Sequence, residues 1–244
     1  MVSKNIYQKY HSKSRLQRRV ISENDFTYRN IINSISRYLV KGKKMLDIGS
    51  ATGTLTFYFA SKGLLVEGIE LSKNAFKYAN LNRANLGVKN VNFINSTIEK
   101  FQTHKKYDIV TCFEVLEHLV DDVAILKKIR TMMGSNSVLV ISVPSKNAPL
   151  YKFGFLNEFD KEVGHLRRYS DDEIKNILLI SGFKIIKLIK SESILRNILY
   201  TNKLFGPIIK ITKFNMINNL LTNMDKFILK IFGESQIIIT SKKI

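Results

Sequence analysis

A single cysteine in 244 residues, Cys112, excludes an intramolecular disulfide and fits a reducing compartment. The first residues lack the apolar core of about 7–15 residues that marks a secretory signal. No uncharged apolar run reaches the ~20 residues needed to span a bilayer. The expectation is a cytoplasmic chain whose contact with the inner face of a membrane is at most peripheral. Acid is also scarce: 20 Asp and Glu stand against 39 Lys and Arg, a net charge of +19. The excess is uneven, with +9 in residues 1–44, +3 in 45–150 and +7 in 151–244. A near-balanced middle between basic flanks reads in two ways. It is a cationic surface facing anionic lipid or nucleic acid, or it is bias in a chain rich in Lys, Ile and Asn.

Apolar strand-like runs alternate with helical patterns through the middle of the chain. Strands are expected at 44–48, 64–70, 91–95, 107–112, 137–143, 183–188 and 236–240. Helices are expected at 55–62, 73–86, 121–133 and 170–181. Gly63, Gly87 and Gly134 stand where helices should stop, and Ser170-Asp-Asp-Glu173 reads as a capping box. Strand–helix alternation implies an α/β fold with a parallel sheet covered on both faces. Four regions follow: an N-terminal helical segment at 1–43, with Ile31, Ile32, Ile35 and Leu39 at helical spacing; a core at 44–190; an apolar, lysine-studded insertion at 191–234; and a last strand at 235–244. The stretch 194–232 reads as one or two amphipathic helices. They lie on a membrane, cap the substrate site, or form a dimer interface.

The most informative stretch is Met45-Leu-Asp47-Ile-Gly49-Ser50-Ala51-Thr-Gly53. A strand runs into a small-residue turn and then a helix. Gly49 and Gly53 let the backbone turn and let a ligand approach it, and the helix start offers free N–H groups. Asp47 can accept hydrogen bonds from ligand groups above the sheet, and Ser50 lies in the same turn. Val66-Glu-Gly-Ile-Glu70 is a second strand ending in a carboxylate. Glu70 is placed to bind ribose hydroxyls, with Leu71 beside it. The Gly-x-Gly-x-x-Gly pattern of nicotinamide enzymes is not met, because Gly49, Ala51 and Gly53 alternate at spacing two.

These residues resemble the class I S-adenosylmethionine-dependent methyltransferases, whose first turn reads Asp-x-Gly-x-Gly-x-Gly. Ala51 stands where that family has its middle glycine. The resemblance covers residues 40–190 by motif order. It implies a Rossmann-like, doubly wound sheet of seven strands, mostly parallel with the last antiparallel, and S-adenosylmethionine as cofactor. Asn95-Ser-Thr-Ile-Glu99 and the run from Tyr107 to Leu119 are similar to ubiquinone-biosynthesis O-methyltransferases and their relatives. In that group Thr97 and Ile98 would pass the adenine edge, and Phe113 would line the methionine or adenosine side. Gly164-His-Leu-Arg-Arg-Tyr-Ser170 resembles a motif of the uncharacterised relatives.

Glu114-Val-Leu-Glu117-His118 follows a strand end, where open α/β sheets place their sites. Two carboxylates and an imidazole there can hold a divalent cation, and oxygen donors suit magnesium. The resemblance implies the same twice, through the quinone enzymes and through small-RNA 2′-O-methyltransferases, which need a further histidine that His165 can supply. Without metal, Glu117 and His118 act as helix caps, or His118 serves in the site directly. His165 suits a general base. Arg167 and Arg168 either bind an anionic substrate or tie down a helix end beside Tyr169. Arg29 can close over the cofactor carboxylate, and Cys112 reads as core. The expected activity is methyl transfer to oxygen on a small or lipid-linked, quinone-precursor-like acceptor. The rivals are an RNA methyltransferase and a non-catalytic cofactor-binding scaffold. No RNA-binding appendage is recognisable, and the aromatics do not interleave with the basic runs.

Overall fold

The computed structural model describes residues 16–201, 205–212 and 214–244. Its centre is a seven-stranded sheet in the order β3-β2-β1-β4-β5-β7-β6. The strands are β1 (Lys44–Ile48), β2 (Leu65–Glu70), β3 (Val91–Asn95), β4 (Tyr107–Phe113), β5 (Met133–Pro144), β6 (Phe183–Ser191) and β7 (Gln236–Lys243). β1 to β5 pair in parallel, whereas β7 is antiparallel to both neighbours. This is the α/β Rossmann-like arrangement expected. The chain leaves β1 toward β2 and β3, then returns on the other side to β4. A crevice therefore opens where β1 and β4 part, the usual ligand position in such sheets.

The helices are α1 (Arg29–Ile35), α2 (Thr54–Ser61), α3 (Lys73–Leu86), α4 (Asp122–Thr131), α5 (Pro149–Lys152), α6 (Asn157–Val163), α7 (Asp171–Ile180), α8 (Ile194–Thr201), α9 (Gly206–Ile211) and α10 (Asn215–Phe232). Strand alternation sends neighbouring residues to opposite faces. Leu46, Ile48, Val110 and Cys112 join Leu126 and Ile129 of α4 and Ile174 and Leu178 of α7. Met45, Ile109, Val138 and Val140 join Phe57 and Phe59 of α2 and Ile31, Ile32 and Ile35 of α1. Gly63 and Gly87 end their helices at φ 88 and 65, and α7 carries the full capping box at Ser170 and Glu173.

Three expectations change. Gly134 is not a helix stop: α4 ends at Thr131, and β5 starts at Met133, which pairs with Tyr107. The described part of segment 1–43 is helical only over α1 and a 3-10 turn at Ser36–Tyr38, and residues 1–15 lie outside the described residues. The insertion holds three helices, α8 to α10, rather than one or two. Among the described residues, no helix is long and apolar enough to cross a membrane.

Candidate functional site

The turn between β1 and α2 is shaped by backbone geometry. Gly49, Ala51 and Gly53 all have positive φ, at 77, 48 and 89. A Cβ on Gly49 would lie 2.4 Å from Val115 Cγ2, and one on Gly53 would lie 2.6 Å from the Phe57 ring. Ala51 tolerates the left-handed region at modest strain, which explains how the turn survives without the middle glycine.

Two buried carboxylates hold this turn. Asp47 Oδ2 accepts from Thr56 Oγ1 at 2.6 Å and Oδ1 from Thr111 Oγ1 at 2.8 Å. It thus braces β1 against α2 and β4, and it is absent from the cavity wall described below. Burial pushes its carboxyl up to about 6, against the pull of the two hydroxyls. Glu70 Oε2 accepts from the Ala51 amide at 2.9 Å and Oε1 from the Ser72 amide at 2.6 Å. Burial raises it to about 7. Ser50 is buried beneath the turn, its amide 3.0 Å from the Ile69 carbonyl.

One cavity joins the expected cofactor wall to the loop after β4. Gly49, Glu70, Leu71, Thr97 and Ile98 line one side, and Glu114, Val115, His118 and Leu119 line the other. Phe113 is not on this wall; it packs on the α1–α2 side of the sheet. Ser96, Glu99, Val115 and Leu119 also belong to the wall; they lie inside the quoted motifs, but none stood out there as a site residue.

Beyond β4 the chain turns at Glu114, again at positive φ of 51. Strain at a non-glycine residue is retained where its surroundings over-determine it. Glu114 Oε1 accepts from Ser142 Oγ at 2.7 Å and from Gln236 Nε2 at 3.1 Å. Those partners come from β5 and β7. They lie 28 and 122 residues away, so no local motif reveals them.

Glu117, His118 and His165 converge, their donor atoms all within 4.8 Å of one another. His118 Nδ1 lies 3.0 Å from the Gly164 carbonyl. A carbonyl only accepts, so this ring carries its proton on Nδ1 and presents Nε2 as an acceptor. His165 Nδ1 lies 2.9 Å from Asp160 Oδ1, and its Nε2 is 3.8 Å from Glu117 Oε1. Burial, then the neighbouring His165, lowers His118 to about 4. Glu117 is fully buried and neither oxygen has a hydrogen-bond partner. Burial and the charge of Glu114 hold its carboxyl well above the carboxylate range. Glu114 is outside this triplet, so the expected set Glu114–Glu117–His118 becomes Glu117–His118–His165.

The arginines have structural partners. Arg168 makes a bidentate pair with Asp160 at 2.6 and 2.7 Å, which fixes the carboxylate that orients His165. Arg167 reaches Asp122 at 2.9 Å, and Tyr169 donates to the same Asp122 oxygen at 2.8 Å. Arg29 donates to Thr222 at 2.8 Å and Asn218 at 3.3 Å on α10. Cys112 is buried core, and burial pushes its thiol up. Asp160 was missed because the short α6 that carries it has no N-terminal side-chain cap and only Gly164 to mark its end.

A glycine turn after β1, an acid closing β2 and an open crevice at the switch point define a nucleotide-cofactor site of the Rossmann-like methyltransferase type. The chain belongs to the methyltransferase-domain family, whose pattern matches residues 39–203. It is 31% identical over 119 residues to a ubiquinone biosynthesis O-methyltransferase of Vibrio campbellii, covering 48% of this chain and 50% of that protein. A namesake from Aeromonas salmonicida is 35% identical over 112 residues, covering 45% and 47%. The chain thus spans about half the length of these curated relatives. Magnesium protoporphyrin IX methyltransferase from Synechocystis, solved with bound SAH, shares the fold at TM-score 0.63 and 15% identity, covering 98% of this chain and 94% of that one.

Proposed function

We propose that the protein transfers a methyl group from S-adenosylmethionine to an oxygen of a small or lipid-linked acceptor resembling a quinone precursor. The observation that carries this is the shared cavity, with Glu70, Thr97 and Ile98 on one wall and Glu114 and His118 on the other. When bound, the cofactor supplies a methyl group already activated on a sulfonium. The chain's own residues then have three tasks: to hold the donor, align the acceptor behind the methyl, and exclude water. Glu70 accepts the ribose hydroxyls, and Gly49 keeps the turn flat enough for the ligand to lie against it. Thr97, Ile98 and Leu71 flank the adenine. Ile48, Ile69, Val115 and Leu119 add apolar surface beside the polar Ser96 and Glu99, and that apolar surface suits an aromatic or prenylated acceptor. The named activity of the curated relatives supports an oxygen acceptor of this class.

A hydroxyl acceptor must also lose its proton. Glu117, His118 and His165 fit a divalent cation: the carboxylate is buried with no hydrogen-bond partner, and each histidine is oriented through its other nitrogen, by Gly164 or Asp160. Two imidazoles and one carboxylate suit a first-row transition ion such as manganese or zinc better than magnesium. A cation held there would lower the pKa of an acceptor hydroxyl. His118 stays neutral above pH of about 4, so the ring keeps a lone pair for an ion throughout the physiological range, while the same lowering makes it a weak proton acceptor.

The test is turnover of a catechol-type acceptor with S-adenosylmethionine, before and after chelation, on wild type and His118→Ala. Methylation lost on chelation, restored by manganese or zinc and abolished in the variant supports the reading. Cofactor binding without turnover on phenolic acceptors overturns the acceptor assignment. Tight, steeply salt-dependent RNA binding would move it to nucleic acid.

A further inference from the structure

Helix α10 is inside out. Its buried residues are polar: Asn218, Thr222 and Asp225 are each 5% exposed or less. One outward stripe is apolar: Met216, Leu220, Met224, Phe227 and Ile231 are between 43% and 84% exposed. At 3.6 residues per turn these five fall within an arc of roughly 80°, opposite the buried polar arc. An ordinary surface helix of a monomer has the reverse pattern.

The polar face is committed to the protein body. Asn218 Nδ2 donates to the Asn24 carbonyl at 2.6 Å, and Arg29 donates to Thr222 and Asn218. Asp225 accepts from the Ser193 amide at 3.0 Å, its hydroxyl at 2.7 Å and Arg196 Nε at 2.7 Å. These bonds fix the rotation of the helix and leave its apolar face to solvent. Phe214 and Phe232, at the two ends, are exposed as well.

Charge decides among the occupants. Residues 194–232 contain five lysines and one arginine but a single acid, Asp225. That acid is buried and paired with the arginine, Arg196. Lys226 and Lys230 are exposed on α10, beside the apolar arc. An apolar ridge whose flank carries Asn219, Asn223, Lys226 and Lys230, and whose only exposed charged neighbours on the helix are these two lysines, complements an anionic bilayer surface. A second copy of the same face would instead oppose like charges across a two-fold axis.

We propose that α10 docks the protein onto anionic lipid, with Leu220, Phe227 and Ile231 entering the headgroup–acyl boundary and Lys226 and Lys230 meeting the headgroups. This surface stands apart from the cavity and does not depend on which acceptor the site takes.

The experiment is co-sedimentation of the full chain with vesicles of phosphatidylcholine alone and with about one third phosphatidylglycerol. Wild type, Leu220→Asn/Phe227→Asn and Lys226→Gln/Lys230→Gln are compared, with sedimentation velocity for mass and S-adenosylmethionine affinity as a check on folding. Binding to anionic vesicles that weakens with salt is expected, along with a monomer in solution. Each double variant should bind about tenfold or more weakly at unchanged cofactor affinity. Equal binding to both vesicle types, no binding, or binding indifferent to Leu220→Asn/Phe227→Asn overturns the proposal. So does a dimer that this variant dissociates, which would give the face to a second copy.

Discussion

The two halves of the crevice are built in opposite ways. On the cofactor side, the residues come from three successive strand ends: the turn after β1, Glu70 and Leu71 after β2, and Thr97 and Ile98 after β3. Each buried carboxylate there has partners on both oxygens. On the other side, around His118 of the cavity wall, Glu117 follows β4, Asp160 and His165 lie on and after α6, and Gln236 opens β7. Glu117 has no hydrogen-bond partner on either oxygen. Buried polar groups without partners cost stability. The two cofactor-side carboxylates are thus satisfied by the fold, whereas the buried Glu117 carboxylate beside His118 is not hydrogen-bonded.

The largest effect should come from unlocking the insertion that holds α8 and α10 together. Asp225→Ala leaves Arg196 buried without its ion-pair partner, the guanidinium lying 4.0 Å over the Phe26 ring. Loss of one partner from a buried pair costs about 3–5 kcal/mol, measurable by urea unfolding. Cofactor affinity in the population that remains folded should be unchanged, which would separate the insertion from the cofactor side.

Gly49→Val attacks the cofactor side. The added Cβ meets Val115 and sits at φ 77, costing about 1–3 kcal/mol. It should abolish S-adenosylmethionine binding by calorimetry while the three-residue cluster keeps its affinity for manganese.

The pH response of the cofactor half can be isolated with Glu70→Gln. The folded carboxyl sits at about 7 against an ordinary 4.5, so the folded state binds the proton more tightly. Its contribution to stability is complete below pH of about 4.5 and is lost as pH rises through about 7. Between those values cofactor-free wild type should lose about 2–3 kcal/mol relative to the variant. Parallel stability curves would show that Glu70 does not titrate in this window.

The smallest effect is expected at Ala51. Ala51→Gly relieves left-handed strain of about 1 kcal/mol, partly offset by chain entropy. Thermal unfolding should shift up by a few degrees or less.

This asymmetry also governs what the sequence discloses. The β1 turn, Glu70, the Ser170 capping box and the antiparallel last strand rest on local pattern or family motif, and their elements appear as expected. Motif position alone assigned Asp47 to the ligand, but its carboxylate lies between Thr56 and Thr111 and off the cavity wall that Glu70 joins. Gly134 was misread because a glycine after a helical run signals a stop, while pairing of Met133 with Tyr107 draws the strand back over it. Asp160, Ser142 and Gln236 could not be found by spacing, since distant strands and a weakly marked helix deliver them. The arginines after His165 looked able to bind an anion, but only the fold shows Asp160 and Asp122 already held by them.

The most direct measurement is calorimetric titration of S-adenosylmethionine into wild type, Glu70→Ala and Glu117→Gln, each with and without manganese. The account predicts micromolar binding by wild type and Glu117→Gln, loss in Glu70→Ala, and a manganese heat that disappears only in Glu117→Gln. Absence of cofactor binding to wild type, or cofactor affinity indifferent to Glu70→Ala, would contradict it.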